Sequence, residues 1–129
     1  MERWNIPGNY QKMHKPTFDY LMKEEILPAI TNTREEGQKE YAHDVKNIFA
    51  NFERVSGTLS IKREKVLMTY FLKHIDGIMA HIDGHESQRE SVYGRLTDAI
   101  VYLTLLWGMF RDDEVKNKIE NEEKPKEVD

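Results

Sequence analysis

Leu67, Phe71, Ile75, Ile78 and Ile82 step along the chain by four, four, three and four residues. That spacing returns an apolar side chain to the same flank at every turn of a 3.6-residue helix, so it predicts an amphipathic helix with one buried face. No stretch alternates apolar and polar residues over a useful strand length, and the chain is therefore read as all-α. A later run, Ala99–Phe110, is nearly apolar for twelve residues. It is too short to cross a bilayer and suits a helix buried on several faces.

Punctuating residues divide the rest. Pro7-Gly8 and Pro16 mark residues 1–16 as an extended arm. Thr17 is a usable N-cap for a first helix through Phe18, Tyr20, Leu21 and Ile26, which Pro28 is expected to kink or end. A second helix is expected over 29–42 and a third from Asp44 to Gly57. Ser60 is read as the cap of the next, amphipathic helix, which Gly84 ends. The last helix is expected to begin at Ser87–Ser91 and to pass Arg111, with Leu96, Ile100, Leu103, Trp107 and Phe110 as its core stripe. The expected architecture is a compact four- to five-helix bundle over 17–114, followed by an acidic tail, 115–129, that frays. Two wide apolar faces in so small a chain leave parts of Met68, Leu72, Met79, Leu105 and Trp107 uncovered, which predicts a homo-oligomer.

Charge narrows the partners. The net charge of -4 belongs to residues 112–129, while residues 1–111 carry 15 basic and 15 acidic side chains and sum to zero. A neutral body excludes nonspecific coating of a nucleic-acid backbone but leaves room for a local anion pocket. The absence of cysteine excludes disulfides, cysteine-ligated zinc and a thiol nucleophile, and it agrees with a cytoplasmic protein. Met1-Glu2-Arg3-Trp4 opens without an apolar run, so neither a signal peptide nor a membrane span is expected.

Three polar clusters carry chemistry. Glu36, Glu40 and Asp44 recur every four residues beside His43. Carboxylates on one helix face suit a hard cation such as Mg²⁺, although a solvated face of Glu/Lys pairs has the same spacing. Lys73 and Asp76 share a side of the amphipathic helix; His74 and His81 share another, too far apart to grip one metal. Ser91, Arg95, Asp98 and Tyr102 step by four, three and four and form a narrow polar stripe on the last helix. An arginine and a carboxylate there either pair with each other or serve a phosphate and a metal. There is no glycine-rich phosphate loop, His-Glu-x-x-His pair or nucleophile elbow, so a phosphate site must be built from side chains on helices.

The segments Tyr41-Ala42-His43-Asp44 with Asn47, Phe49 and Asn51-Phe52, then Leu72-Lys73-His74-x-Asp76, then Glu90-Ser91 with Arg95, Asp98 and Tyr102, together resemble a known family. It is the nucleotide modification associated domain 1 family, small all-α phage proteins associated with the metabolism of modified nucleotides. The likeness spans roughly residues 30–108. The family's architecture is similar to that of the MazG-like pyrophosphatases, which cleave nucleoside triphosphates between the α and β phosphates with Mg²⁺. The resemblance implies a phage protein in the host cytoplasm that binds a nucleotide and Mg²⁺. His43, Asp44, Asp76 and Asp98 would be catalytic, and Tyr41, Asn47, Asn51, Lys73, His74, Arg95 and Tyr102 would bind ligand. Glu40, Asp44, Asp76, Glu90 and Asp98 would hold metal. One departure bears on activity: the pyrophosphatases place a glutamate three residues before the late aspartate, and here that position is Arg95. A guanidinium weakens a metal cage more than it weakens anion binding. Three functions stay open: a nucleotide phosphohydrolase, a non-catalytic sponge for a nucleotide such as a host defence signal, and a helical protein-interaction module.

Overall fold

Pro16 opens the first helix instead of standing outside it, because a missing N–H costs nothing in a first turn. The computed structural model describes residues 12–37, 46–85 and 90–123. Helix α1 runs unbroken through α-helical Lys15–Leu21, a π-helical turn Met22–Ile26 and α-helical Leu27–Gly37. Pro28 therefore neither ends it nor separates two helices. The π turn lies just upstream, with the Leu27 N–H donating to the Met22 carbonyl, and this wider turn makes room for the proline ring.

Helix α2 is Ala50–Leu59, entered through a turn in which Asn47 Oδ1 accepts the Phe49 N–H at 3.0 Å. The expected start at Asp44 lies outside the described residues. Ser60 closes α2 in a left-handed conformation (φ 56°) and does not cap the next helix. Its N–H donates to the Ser56 carbonyl, which satisfies one of the acceptors left open at the helix end. Helix α3, Arg63–Ile82, starts instead after the extended Lys62 and is ended near Gly84 (φ +90°), as the sequence predicts. Helix α4, Val92–Glu123, starts where expected, with Ser91 Oγ accepting the Gly94 N–H at 3.0 Å. The acidic segment is helical as far as Glu123, and Lys116 pairs with Asp112 one turn away at 3.2 Å. Among the described residues the molecule is thus all-helical with four helices, not five; helix accounts for 85% of them, with no strand. No helix among them is long and apolar enough to cross a membrane.

Helices α3 and α4 pack antiparallel and form the spine, with α2 against α3 and the second half of α1 against α4. The core is Phe49, Phe52, Val66, Leu67 and Met109, with Tyr102, Leu105 and Leu106 packed on it. Arg63 fixes one end of the spine. Its guanidinium lies 2.9 Å from Glu53 and 2.8 Å from both Asp112 and Asp113, and 4.9 Å above the Phe49 ring. Burial alone would lower its pKa, but the two aspartates hold it well above the ordinary arginine value. The same bonds, Arg63 for Asp112 and Glu64 then Arg63 for Asp113, hold both carboxyls below their usual range.

The α4 core stripe is the opposite of the one expected. Leu96, Ile100, Leu103, Trp107 and Phe110 are all exposed, Trp107 at 70%. The inward face runs through Asp98, Tyr102, Leu105 and Met109 to Asp112, steps of four, three, four and three. Between Ala99 and Phe110 apolar residues lie on nearly every side of this helix, so hydrophobic pattern gives little preference for a face there, and the inward face is the one that carries the ion pairs with Arg63. On α3 the buried set is likewise Arg63, Val66, Leu67 and His74, and Ile82 of the expected stripe is exposed.

Candidate functional site

His74 lies on the α3 face that meets α4, where the Tyr102 ring packs 5.6 Å from its imidazole, centroid to centroid. Its burial follows from that register: it follows Arg63 by three turns of helix, and the face that hides Arg63 hides it too. It is 6% exposed. Nδ1 stands 3.9 Å from Glu90 Oε2 and Nε2 stands 3.7 Å from Asp98 Oδ2, both beyond hydrogen-bond reach. Nδ1 is buried and has no hydrogen-bond partner.

One turn further along α3, Gly77 makes a notch that Arg95 fills. A Cβ at this glycine would come within 2.4 Å of Arg95 Nε and Nη1. The guanidinium so placed lies 3.5 Å from Glu90 Oε2, and its buried Nε has no hydrogen-bond partner. Arg95 therefore sits against Glu90, not in the intrahelical pair with Asp98 that spacing alone allows. Burial raises the Asp98 carboxyl above its ordinary range against the pull of His74, while the nearby Glu90 charge adds to the rise; Arg95 and Lys73 oppose it.

These groups open onto a cleft of about 630 Å³ between α1, α2, α3 and α4. Its apolar wall is an aromatic cluster: Phe52 meets Tyr70 and Tyr102 edge-on at 6.2 Å, and the two tyrosines stack at 6.3 Å with 16° between their planes. Lys73 and Arg34 line it as cations, and Glu36, Glu90 and Asp98 as carboxylates. Size and lining suit a ligand with one flat apolar part and one charged part.

No family model matches this chain. Neither a curated protein nor a solved structure matches it. The case for a function therefore rests on the cleft.

Among the residues picked out by sequence, the cleft gathers Asn51, Lys73, His74, Glu90, Asp98 and Tyr102, with Arg95 behind Glu90. Asp76, expected as catalytic and metal-binding, is exposed and does not line it. The reason is the helical register: Asp76 lies two residues past His74, about 200° round the helix axis. Asn47 is half-buried and spent on structure, donating to Glu53 Oε2 at 2.7 Å and accepting the Phe49 N–H. Asn51 lines the cleft, and its Oδ1 accepts from Arg54 at 2.7 Å. Ser91 is a helix cap. Glu40, Tyr41, His43 and Asp44 lie outside the described residues.

Sequence reasoning missed Tyr70, Phe52 and Arg34. Tyr70 was accessible, since it lies four residues before His74 on the same helix face. Arg34 carries no such signal, because only the packing of α1 brings it to the cleft.

Proposed function

We propose that the cleft binds a nucleotide and that the chain serves nucleotide metabolism, in the manner of the phage family its motifs resemble. One observation carries this reading: a buried imidazole and two carboxylates converge at the floor of an aromatic-walled cleft that also holds Lys73 and Arg34. The base and sugar would lie along Tyr70 and Tyr102, and the phosphates would meet Lys73 and Arg34. The Mg²⁺ implied by the resemblance fits in part. Glu90, Asp98 and Glu36 offer carboxylate oxygens at the cleft, whereas Asp76 stands away from it. Such an ion, when bound, would neutralise phosphate charge and polarise a phosphorus–oxygen bond. The chain's own groups position the phosphates, and the aromatic wall excludes water from the base.

Capture without cleavage is the second reading, and it too has its observation. Arg95 already lies 3.5 Å from Glu90, so a cation of the protein stands beside a carboxylate that a hydrolase would reserve for metal. A sponge for a defence-signal nucleotide needs the cations and the aromatic wall alone. Calorimetry with a nucleotide panel, run with Mg²⁺ and with chelator while product is followed, separates the two. Turnover that requires metal supports the hydrolase; binding in chelator without product supports the sponge. No binding of any nucleotide overturns both and leaves a protein-interaction module.

We also propose that the chain acts as a cytoplasmic homo-oligomer of MazG-like architecture. Tyr93, Leu96, Ile100, Leu103, Trp107 and Phe110 are all exposed on α4, and they step by three and four alternately, the repeat of a helix that packs along another helix. Of the residues expected to need cover, Leu72, Met79 and Trp107 are exposed, while Met68 and Leu105 pack on the core. Gel filtration should report a species larger than 15.3 kDa. Leu103→Glu with Trp107→Glu should reduce it to the monomer, and a wild-type monomer at micromolar concentration would end this proposal.

A further inference from the structure

We propose that His74, Glu90 and Asp98 form a site for a first-row transition metal ion, Mn²⁺ being the probe of choice, with the imidazole as a direct ligand. The inference rests on the nucleotide reading of the cleft only for what the ion would serve; the site itself is built from three side chains. One donor atom from each lies within 4.8 Å of the other two. Ligands that share one ion at bonds of about 2.0–2.2 Å stand roughly 3–3.5 Å apart, so closure takes a shift of up to about 1.3–1.8 Å. Glu90 and Asp98 have room for it, with side chains 43% and 36% exposed on the cleft side.

The imidazole supplies an independent reason. His74 is 94% withdrawn from solvent, and its Nδ1 is buried, unpartnered and 3.9 Å from Glu90 Oε2. A ring nitrogen in that state lacks the partner that buried polar atoms ordinarily have. A cation bound at Nδ1 provides it, with Glu90 the nearer carboxylate and Asp98, 3.7 Å from Nε2, closing onto the ion from beside the ring, and it neutralises the facing negative charges. The donor set then selects the ion. Mg²⁺ prefers an all-oxygen shell and keeps several waters, whereas imidazole with carboxylates suits first-row transition metals. Three protein ligands leave open positions toward the cleft for water or for a phosphate oxygen. The other charged groups facing the site are Arg95, behind Glu90, and Lys73; neither is a ligand, and both disfavour the ion, so affinity reflects a net of opposing terms.

The test is calorimetric titration of the full chain with MnCl₂ and with MgCl₂ in nucleotide-free buffer. One Mn²⁺ per chain is expected, bound about tenfold or more tightly than Mg²⁺. Glu90→Gln and Asp98→Asn should each weaken Mn²⁺ binding about tenfold or more with helical content unchanged. His74→Gln should abolish the preference for Mn²⁺ over Mg²⁺. If that buried variant does not fold, the two carboxylate variants and the wild-type ion preference decide. Absence of Mn²⁺ binding, equal affinity for the two ions, or unchanged Mn²⁺ affinity in both carboxylate variants would overturn the proposal. Nucleotide binding is measured separately, so a failed metal site and a failed nucleotide site give different results.

Discussion

Helices α3 and α4 share two charged clusters, centred on Arg63 and His74 and about 16 Å apart along α3, built on opposite plans. At Arg63 the cation has three carboxylates within 2.9 Å, and Asp112 and Asp113 are held below their usual pKa range. At His74 the imidazole stands 3.9 and 3.7 Å from Glu90 and Asp98, His74 Nδ1 and Arg95 Nε are buried without hydrogen-bond partners, and Asp98 is pushed up. A saturated cluster gives its interaction energy to the fold. An unsaturated one holds interactions in reserve for something that arrives from outside. That difference is the reason His74, and not the more densely charged Arg63, is taken as the centre of the candidate site.

The largest test of that contrast is Arg63→Ala, which leaves Glu53, Asp112 and Asp113 without their shared cation. It should lower unfolding stability by about 2–3 kcal/mol in urea melts, toward the low end for a buried ion pair because the acids reach solvent. Stability unchanged by this substitution would break the assignment of Arg63 to structure. Next in size is Gly77→Ala. The new Cβ drives Arg95 out of its notch and away from Glu90, a carboxylate of the cleft wall whose charge then faces the ligand unscreened, so nucleotide binding should weaken about tenfold. The melt should move by less than about 1 kcal/mol, since a better helix former offsets the displaced side chain.

Asp98→Asn has a smaller effect on stability, and its sign is the informative part. Because the folded chain holds the Asp98 proton more tightly than the unfolded chain, stability falls as pH rises from the ordinary carboxyl value through the raised one. At pH 7 the asparagine variant should therefore melt above the wild type, and the gap should close in acid; a variant that melts lower at pH 7 would make Asp98 structural. Asp112 and Asp113 run the other way. Their contribution is complete above the ordinary carboxyl pKa of about 3.9 and is lost as pH falls through their lowered values. Asp112→Asn should thus flatten the acid limb of the melting curve, and by the least of these effects, because both side chains are well exposed.

Much of the local structure was legible in the sequence. The stop at Gly84, the start at Ser91 and the amphipathic character of α3 follow from backbone geometry and spacing, which act over a few residues. Pro28 misled because its effect depended on a π turn that no local rule announces. For the site, residues on one helix were legible as a set. Lys73 and His74 on α3, and Asp98 with Tyr102 on α4, were each found within their own segment. Asp76 entered through the resemblance; the helix spacing itself sets it on a different side from His74, and the structure leaves it exposed and off the cleft.

The sequence by itself determined that this chain is helical, since that depends on the period of the chain alone. Tertiary structure decided which side of α4 faces inward. The helix's middle stretch, apolar on nearly every side, gives little preference of its own, and the face turned inward is the one on which Asp112 and Asp113 meet Arg63. That register turned the Asp98–Tyr102 stripe in against His74, brought Arg95 into the notch at Gly77, and left the Leu96–Phe110 stripe exposed.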